Sequence, residues 1–208
     1  MASRSRSDVE SWSAYAKMML DERLWRRAAD DLFEAARAVE PRVQEFWNIV
    51  MADINARDPK DTEVRQVKMK RSLQPTYTML VAFAVENLLK GAIICQNRDQ
   101  FRAEVAEGGG CLPAIARGHD LFRLAKTAHF PMKPDDEQVL RRLSRNATWA
   151  GRYPVPLEHG RMGWGEVFSD GTSRIEAASY PANDVDRLNE LVERVQCYLN
   201  ECSSRSRS

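Results

Sequence analysis

The chain has 208 residues, 43% of them hydrophobic and 29% charged, with a formal net charge of +1. That length can bury a sizeable core without disulfides or metal and suits one domain with extensions. The near-neutral balance excludes a global field that would gather nucleic acid, so any polyanion site has to be a local patch.

No apolar run reaches the roughly 18 residues that a membrane helix requires. The opening residues MASRSRSD carry no hydrophobic targeting core. Together these point to a cytoplasmic protein with no membrane partner. Cys95, Cys111, Cys197 and Cys202 form no C-x-x-C pair, and His119, His129 and His159 lack zinc-ligand spacing. Reduced thiols, no metal site and no cofactor are therefore expected.

Both ends read SRSRS, at Ser3 to Ser7 and Ser204 to Ser208. With nothing apolar to bury, residues 1–7 and 204–208 are expected to be disordered tails. Between them, residues 8–203 read as a single helical domain, with N-terminal helices over 8–56 and a core over 75–203. Asp8 can cap a first helix, in which Trp12, Tyr15, Met19, Leu20, Leu24, Ala28, Leu32 and Ala36 share a face. Pro41 fits the first turn of a second helix carrying Val43, Phe46, Trp47, Val50 and Ile54. The charged stretch 57–72 reads as a connector.

Pro75 opens the strongest element. Met79 to Val85 is an unbroken apolar run, continued by Leu88, Leu89, Ala92, Ile93 and Ile94, which predicts a helix buried on most sides. Its polar pair, Glu86 and Lys90, has the favourable i,i+4 order; Glu86 is a candidate catalytic residue, but an ion pair at the helix surface is the expected reading. Residues 98–118 read as a loop-rich insert, whose glycines 108–110 are not a phosphate loop because no Gly-Lys-Ser/Thr follows. Asp120 is placed to cap a short helix through Leu121, Leu124 and Ala128. His119, just before it, is a candidate proton-transfer residue or a helix-entry residue bonded to backbone.

Asp135, Asp136 and Glu137 load the first turn of the next helix with negative charge, as the helix dipole favours. That helix is expected to run to Ala150, with Gly151 as its stop. A short hairpin around Asp170 and Gly171 is expected within the 157–181 loop. A last helix from Asn183 repeats Val185, Leu188, Val192, Val195 and Leu199 at 3,4,3,4 spacing, so it packs lengthwise on a partner. The expected architecture is all-α, a bundle of five to seven helices.

On a helical wheel, Val139, Leu140, Leu143, Ala147 and Ala150 fall within roughly 100° of arc, which makes them the core stripe. Arg141, Arg142, Arg145 and Trp149 then face the other way, with Asn146 at the border. Trp149 opposite the core stripe needs a second apolar surface, such as a subunit partner, a folded-over loop or a flat ligand. Guanidiniums beside an indole can hold phosphate and stack on bases. Arg152 and Tyr153 extend this surface past the helix end.

The order AVENLLKGAI, then GHDLFRLAKTA, then LRRLSRNATWAGRYPVP resembles the HEPN superfamily of helical nucleotide-binding domains. The likeness is to a branch whose penultimate helix ends in a W-x-G-R-Y-P corner, and it covers roughly Pro75 to Leu199. It implies a helical bundle that often dimerises, nucleotide or RNA binding, and roles in toxin–antitoxin pairs and phage defence. Catalytic members carry an Arg-polar-x(3–5)-His motif, which forms a metal-independent ribonuclease site across the dimer seam. Here Arg145 and Asn146 match the start of that motif. Positions 150, 151 and 152 are Ala, Gly and Arg, so the motif histidine has no counterpart.

Three function classes follow. The leading one is a homodimeric HEPN-like protein that binds a nucleotide or RNA without ribonuclease chemistry. In it Arg145, Arg152 and Tyr153 hold phosphate or base, Asn146 orients them, and Trp149 and Arg142 mark an interface. The second is an interaction module whose arginine face is a seam with another copy or with a partner such as an antitoxin or nucleotidyltransferase-like protein. The third is a metal-independent endoribonuclease in which His119 replaces the missing motif histidine.

Overall fold

The computed structural model describes residues 14–56, 73–106, 113–150, 165–167, 173–175 and 184–205. The expected tails at 1–7 and 206–208, the connector 57–72, the glycines 108–110 and the corner from Gly151 to Leu157 lie outside these residues.

A short helix α1 (residues 14–19) breaks at Leu20 and Asp21. The Asp21 carboxylate accepts the Arg23 backbone N–H at 3.1 Å, the geometry of a helix cap, and pairs with the Arg23 guanidinium at 2.7 Å. That guanidinium, hydrogen-bonded to it, holds the Asp21 carboxyl below its ordinary value. From here α2 (Glu22–Asn55) runs unbroken for 34 residues. The expected division into two helices at Pro41 does not occur. A helix-interior proline loses one backbone bond and costs about 3 kcal/mol. On both sides of it, Ala29, Phe33, Ala36 and Val43 form one buried stripe, and α2 lies along α3 as the most extensive helix pair. This shared burial carries the helix through.

The axis of the bundle is α3 (Gln74–Gln96), with Pro75 in its first turn as expected. Val81, Ala82, Ala84, Val85, Leu88, Leu89, Ala92, Ile93 and Ile94 have no accessible surface. By length and composition α3 could cross a membrane, but most of its apolar window is buried against other helices of this fold. The Tyr77 hydroxyl donates to Asn189 Oδ1 at 3.0 Å, and Asn189 Nδ2 donates to Glu40 Oε2 at 3.1 Å, so one polar chain ties α3 to the last helix and to α2. Burial pushes the Tyr77 phenol far up, keeping it a neutral donor.

Residues 98–106 are helical rather than looped. α4 (Arg98–Ala106) buries Phe101, and a single 3-10 turn at Ala114–Ala116 buries Ala116. Arg98 reaches the buried carboxylate of Glu22 and so pins α4 to the start of α2. Next come α5 (Leu121–Thr127), α6 (Asp136–Arg145) and a π-helical turn (Asn146–Ala150). The strands β1 (Gly165–Val167) and β2 (Ser173–Ile175) pair antiparallel, with Glu166 opposite Arg174, where the hairpin was expected.

The final helix α7 (Asp184–Arg205) extends two residues into the expected tail. Val185, Leu188, Val192, Val195 and Leu199 are all buried, as their spacing predicts, and α7 packs along α3. The described residues thus form an all-α bundle of seven α-helices around α3, with one small hairpin.

Candidate functional site

The late part of α6 differs from the expected outward arginine face. Val139, Leu140, Leu143 and Ala147 are buried, as the core stripe predicts. Arg142 is buried as well, and its guanidinium pairs with the Asp184 carboxylate at the first residue of α7. It joins α6 to α7 and is not an exposed interface residue. The wheel misplaced it because an arginine outside the apolar stripe reads as surface until a buried carboxylate from a distant segment appears.

Asn146 is buried too, and its side-chain amide donates to the Arg142 carbonyl at 3.0 Å. It sits in the wall of the bundle rather than at the border. Arg141 bonds to Glu137 Oε1 through Nε at 3.0 Å and Nη2 at 2.9 Å. Arg145 is half-buried at the last position of α6. The side chain of Trp149, and Arg152 and Tyr153 entirely, lie outside what the structure describes.

The α-helix was expected to reach Ala150 but widens at Asn146. Two hydroxyls account for the change. Ser144 donates to the Leu140 carbonyl at 2.8 Å and Thr148 to the Ser144 carbonyl at 2.7 Å. Such back-bonding competes for carbonyls of the helical ladder and bends helices. Single π turns of this kind occur often at functional sites. This one packs against α3.

Beside it lies a cluster that the sequence showed only in pieces. Glu86 and Lys90 on α3 are paired at 2.6 Å, and both side chains are less than a tenth exposed. The pair is therefore buried rather than at the helix surface. Removing two charges from water costs several kcal/mol per ion before pairing returns any of it. A buried pair within an otherwise apolar helix breaks the local pattern, and such breaks concentrate at functional sites.

His119 completes the cluster from above. Its Nδ1 lies 3.0 and 3.1 Å from the two Glu86 oxygens, while the side chain is 67% exposed. It bonds to a side chain, not to backbone. Residues 119–121 are fixed from both sides. The Asp120 carboxylate accepts the Arg123 N–H at 3.0 Å, the expected cap of α5, and the Leu121 N–H donates to Ser144 Oγ at 2.8 Å. The His119 ring is thus held at the junction of α3, α5 and the end of α6.

The outer surface of α5 continues from this junction. Arg117, His119, Arg123, Lys126 and His129 are exposed there. Phe122 is buried beneath, with the Lys126 ammonium 4.4 Å and the Arg141 guanidinium 4.6 Å from its ring centroid. Both cations are drawn to the seam between α5 and α6 by the ring's negative face. Arg145 follows Arg141 by one turn on α6. Among the described residues, Arg117, Arg123, Lys126, Arg141 and Arg145 lie on or beside α5 and α6, together with the carboxylates of Asp120 and Glu137. The far end of α5 is anchored by Tyr198, whose hydroxyl lies 2.7 Å from the Ala128 carbonyl and 3.0 Å from that of His129, a residue with φ of 53°.

The sequence singles out His119 and Arg145 by type, and Glu86 as a catalytic candidate, but favours a surface ion pair for Glu86 and Lys90. The available signal was an i,i+4 ion pair in the middle of the most apolar stretch of the chain. Among the described residues, no group of three His, Cys, Asp or Glu side chains could hold a metal ion. Cys95 and Cys202 are buried thiols, and Cys197 is exposed.

No protein-family model, curated protein or solved structure matches the chain.

Proposed function

We propose that this chain is a HEPN-like helical protein that binds RNA, or the phosphates of a nucleotide, along the exposed face of α5 and its seam with α6. The observation that carries this reading is the local concentration of cations on α5 and late α6 in a chain whose overall charge is only +1. Arg123 and Lys126 lie within one turn of each other, Arg141 and Arg145 line the neighbouring helix, and Arg117 lies ahead of α5. Arginine forks suit phosphate, and a local basic strip attracts a polyanion where a neutral molecule as a whole does not.

The reading gains support from where the three segments that carry the HEPN resemblance come together. The first supplies Glu86 and Lys90, the second His119, Arg123 and Lys126, and the third Arg141, Ser144 and Arg145. His119 bonds to Glu86, Ser144 accepts from the Leu121 N–H, and Lys126 and Arg141 lie over the same Phe122 ring. Arg152 and Tyr153 follow the π turn and remain part of the proposed phosphate and base contacts. A cytoplasmic setting, where RNA is plentiful, fits this reading.

The test is the affinity of a fluorescently labelled single-stranded 12-mer RNA, measured by anisotropy at several salt concentrations. Arg123→Ala/Lys126→Ala should keep the fold, because both side chains are exposed. Loss of two phosphate contacts should lower the salt slope of log K by about 1.4. Affinity at moderate salt should drop roughly tenfold. An Arg145→Ala/Arg152→Ala variant should weaken binding as well. No binding by the intact chain, or a double variant with unchanged affinity and slope, would contradict the reading.

A further inference from the structure

We propose that His119 is a further phosphate contact of the α5 face that forms only when its imidazole is protonated, so that RNA binding takes up a proton at this residue and tightens as pH falls. This rests on the RNA-binding reading above and adds to it how the site is regulated.

The geometry of the ring carries the inference. Nδ1 lies 3.0 and 3.1 Å from the two Glu86 oxygens, so its N–H is committed to that carboxylate. Nε2 points away from Glu86, on a side chain that is 67% exposed at the head of the basic face. In the neutral ring Nε2 is an acceptor, which offers a phosphate oxygen no hydrogen to bond. In the imidazolium it carries a hydrogen and shares the positive charge, and such a donor bonds phosphate strongly. The Nδ1–H bond to Glu86 is made in both forms, so protonation changes the outward edge of the ring without turning it. Imidazole is the side-chain type that changes charge between about pH 5 and 8, outside the ordinary range of carboxylates, lysine and arginine.

The surrounding charges leave that change uncompensated. Glu86 and Lys90 are the charged residues of α3, and Lys90 Nζ donates to Glu86 Oε1 at 2.6 Å with both side chains buried. Their charges cancel inside the bundle, so the charge this cluster presents to solvent is that of His119. Among the described residues, the other charged groups near this junction are Arg117 and Asp120 beside His119 in the chain, Arg123 and Lys126 on α5, and Glu137, Arg141 and Arg145 on α6. Asp120 accepts the Arg123 N–H and Glu137 pairs with Arg141, so the carboxylate that His119 meets is Glu86, already matched by Lys90. An imidazolium therefore adds one cation to the strip of arginines and lysine, where a phosphate backbone lying along α5 passes. The bound state holds this proton more often than the free state, and by linkage affinity must fall as pH rises.

The test measures binding of the labelled single-stranded 12-mer RNA to the purified full-length chain at pH 6 and pH 8. Neither RNA end carries a phosphate monoester, since that group itself titrates at about pH 6. The unaltered chain should bind roughly tenfold tighter at pH 6, as one charged hydrogen bond allows. Its salt slope of log K should be steeper there by about 0.7, the mark of one more phosphate contact. Calorimetry at pH 7 in PIPES and in Tris should give binding enthalpies that differ with the sign of proton uptake. His119→Gln keeps the fold because the ring is exposed, and it should flatten the pH profile and equalise the two enthalpies. His129→Asn and His159→Gln should both retain the proton uptake. Binding with equal enthalpies in the two buffers and no pH dependence overturns the proposal and leaves the RNA-binding reading intact. Proton uptake that survives His119→Gln, or that is lost with His129→Asn or His159→Gln instead, overturns it as well. Absence of binding at both pH values overturns both claims.

Discussion

Arg142 places its guanidinium inside the bundle, against the carboxylate of Asp184, which has no accessible surface. A pair of this kind contributes little net stability against a well-packed apolar replacement, but losing one member leaves a charge buried alone. Asp184→Ala should therefore destabilise the fold by about 3–5 kcal/mol in urea unfolding. Arg142→Met combined with Asp184→Leu should recover most of that loss. If Asp184→Ala unfolds like the unaltered chain, the ion pair is not what joins α6 to α7. Glu86 and Lys90 present the same electrostatic problem on α3. What distinguishes them is His119, which links their buried carboxylate to solvent, so one pair is read as structural and the other as part of a site.

At the level of elements, the close approach of helices around α3 depends on Gly91. A Cβ there would lie 3.2 Å from Leu199 Cδ2 and 3.3 Å from Trp25 Cβ. Leu199 can shift its side-chain end, but the Trp25 Cβ moves only with α2. Gly91→Val would gain a little helix propensity and force three added carbons into that space, for a net loss of about 2 kcal/mol. Unfolding midpoints of the two proteins would measure it, and an equal or higher midpoint would place α2 and α7 farther from α3 than described. The helices themselves were legible where periodicity was strong. The apolar run from Met79 and the 3,4 repeat from Val185 correspond to α3 and α7, and Asp120 caps α5 as its residue type suggests. Three features were not legible, each for a non-local reason. Pro41 lies mid-helix because α3 buries the stripe on both sides of it. Residues 98–106 are helical because Phe101 has a core to enter. Arg142 is internal because Asp184, 42 positions later, meets it. The candidate site was half visible: His119 and Arg145 stood out by type, whereas Glu86 joined them only through the packing of α5 on α3.

Across the whole molecule, charge is balanced in number but not in place. Near the start of α6 and along α7, Lys133 pairs with Glu190, Arg187 with Asp135 and Arg194 with Asp136, so that surface is neutralised locally. The Lys133 ammonium, hydrogen-bonded to it, holds the Glu190 carboxyl below its ordinary value. Among the described residues, the α5 face has more cations than carboxylates. Its attraction for a polyanion should reach only about 8–10 Å at physiological salt and fade as salt rises. The chain has three histidines, so their Hε1 signals can be assigned by substitution. The most direct measurement is a carbon–proton NMR titration of His119→Gln and the unaltered chain with a short single-stranded RNA at a fixed pH. The account predicts that the signal absent from His119→Gln shifts progressively with RNA and that its shift weakens as salt is added. RNA that binds with affinity while the His119 signal stays in place would contradict it.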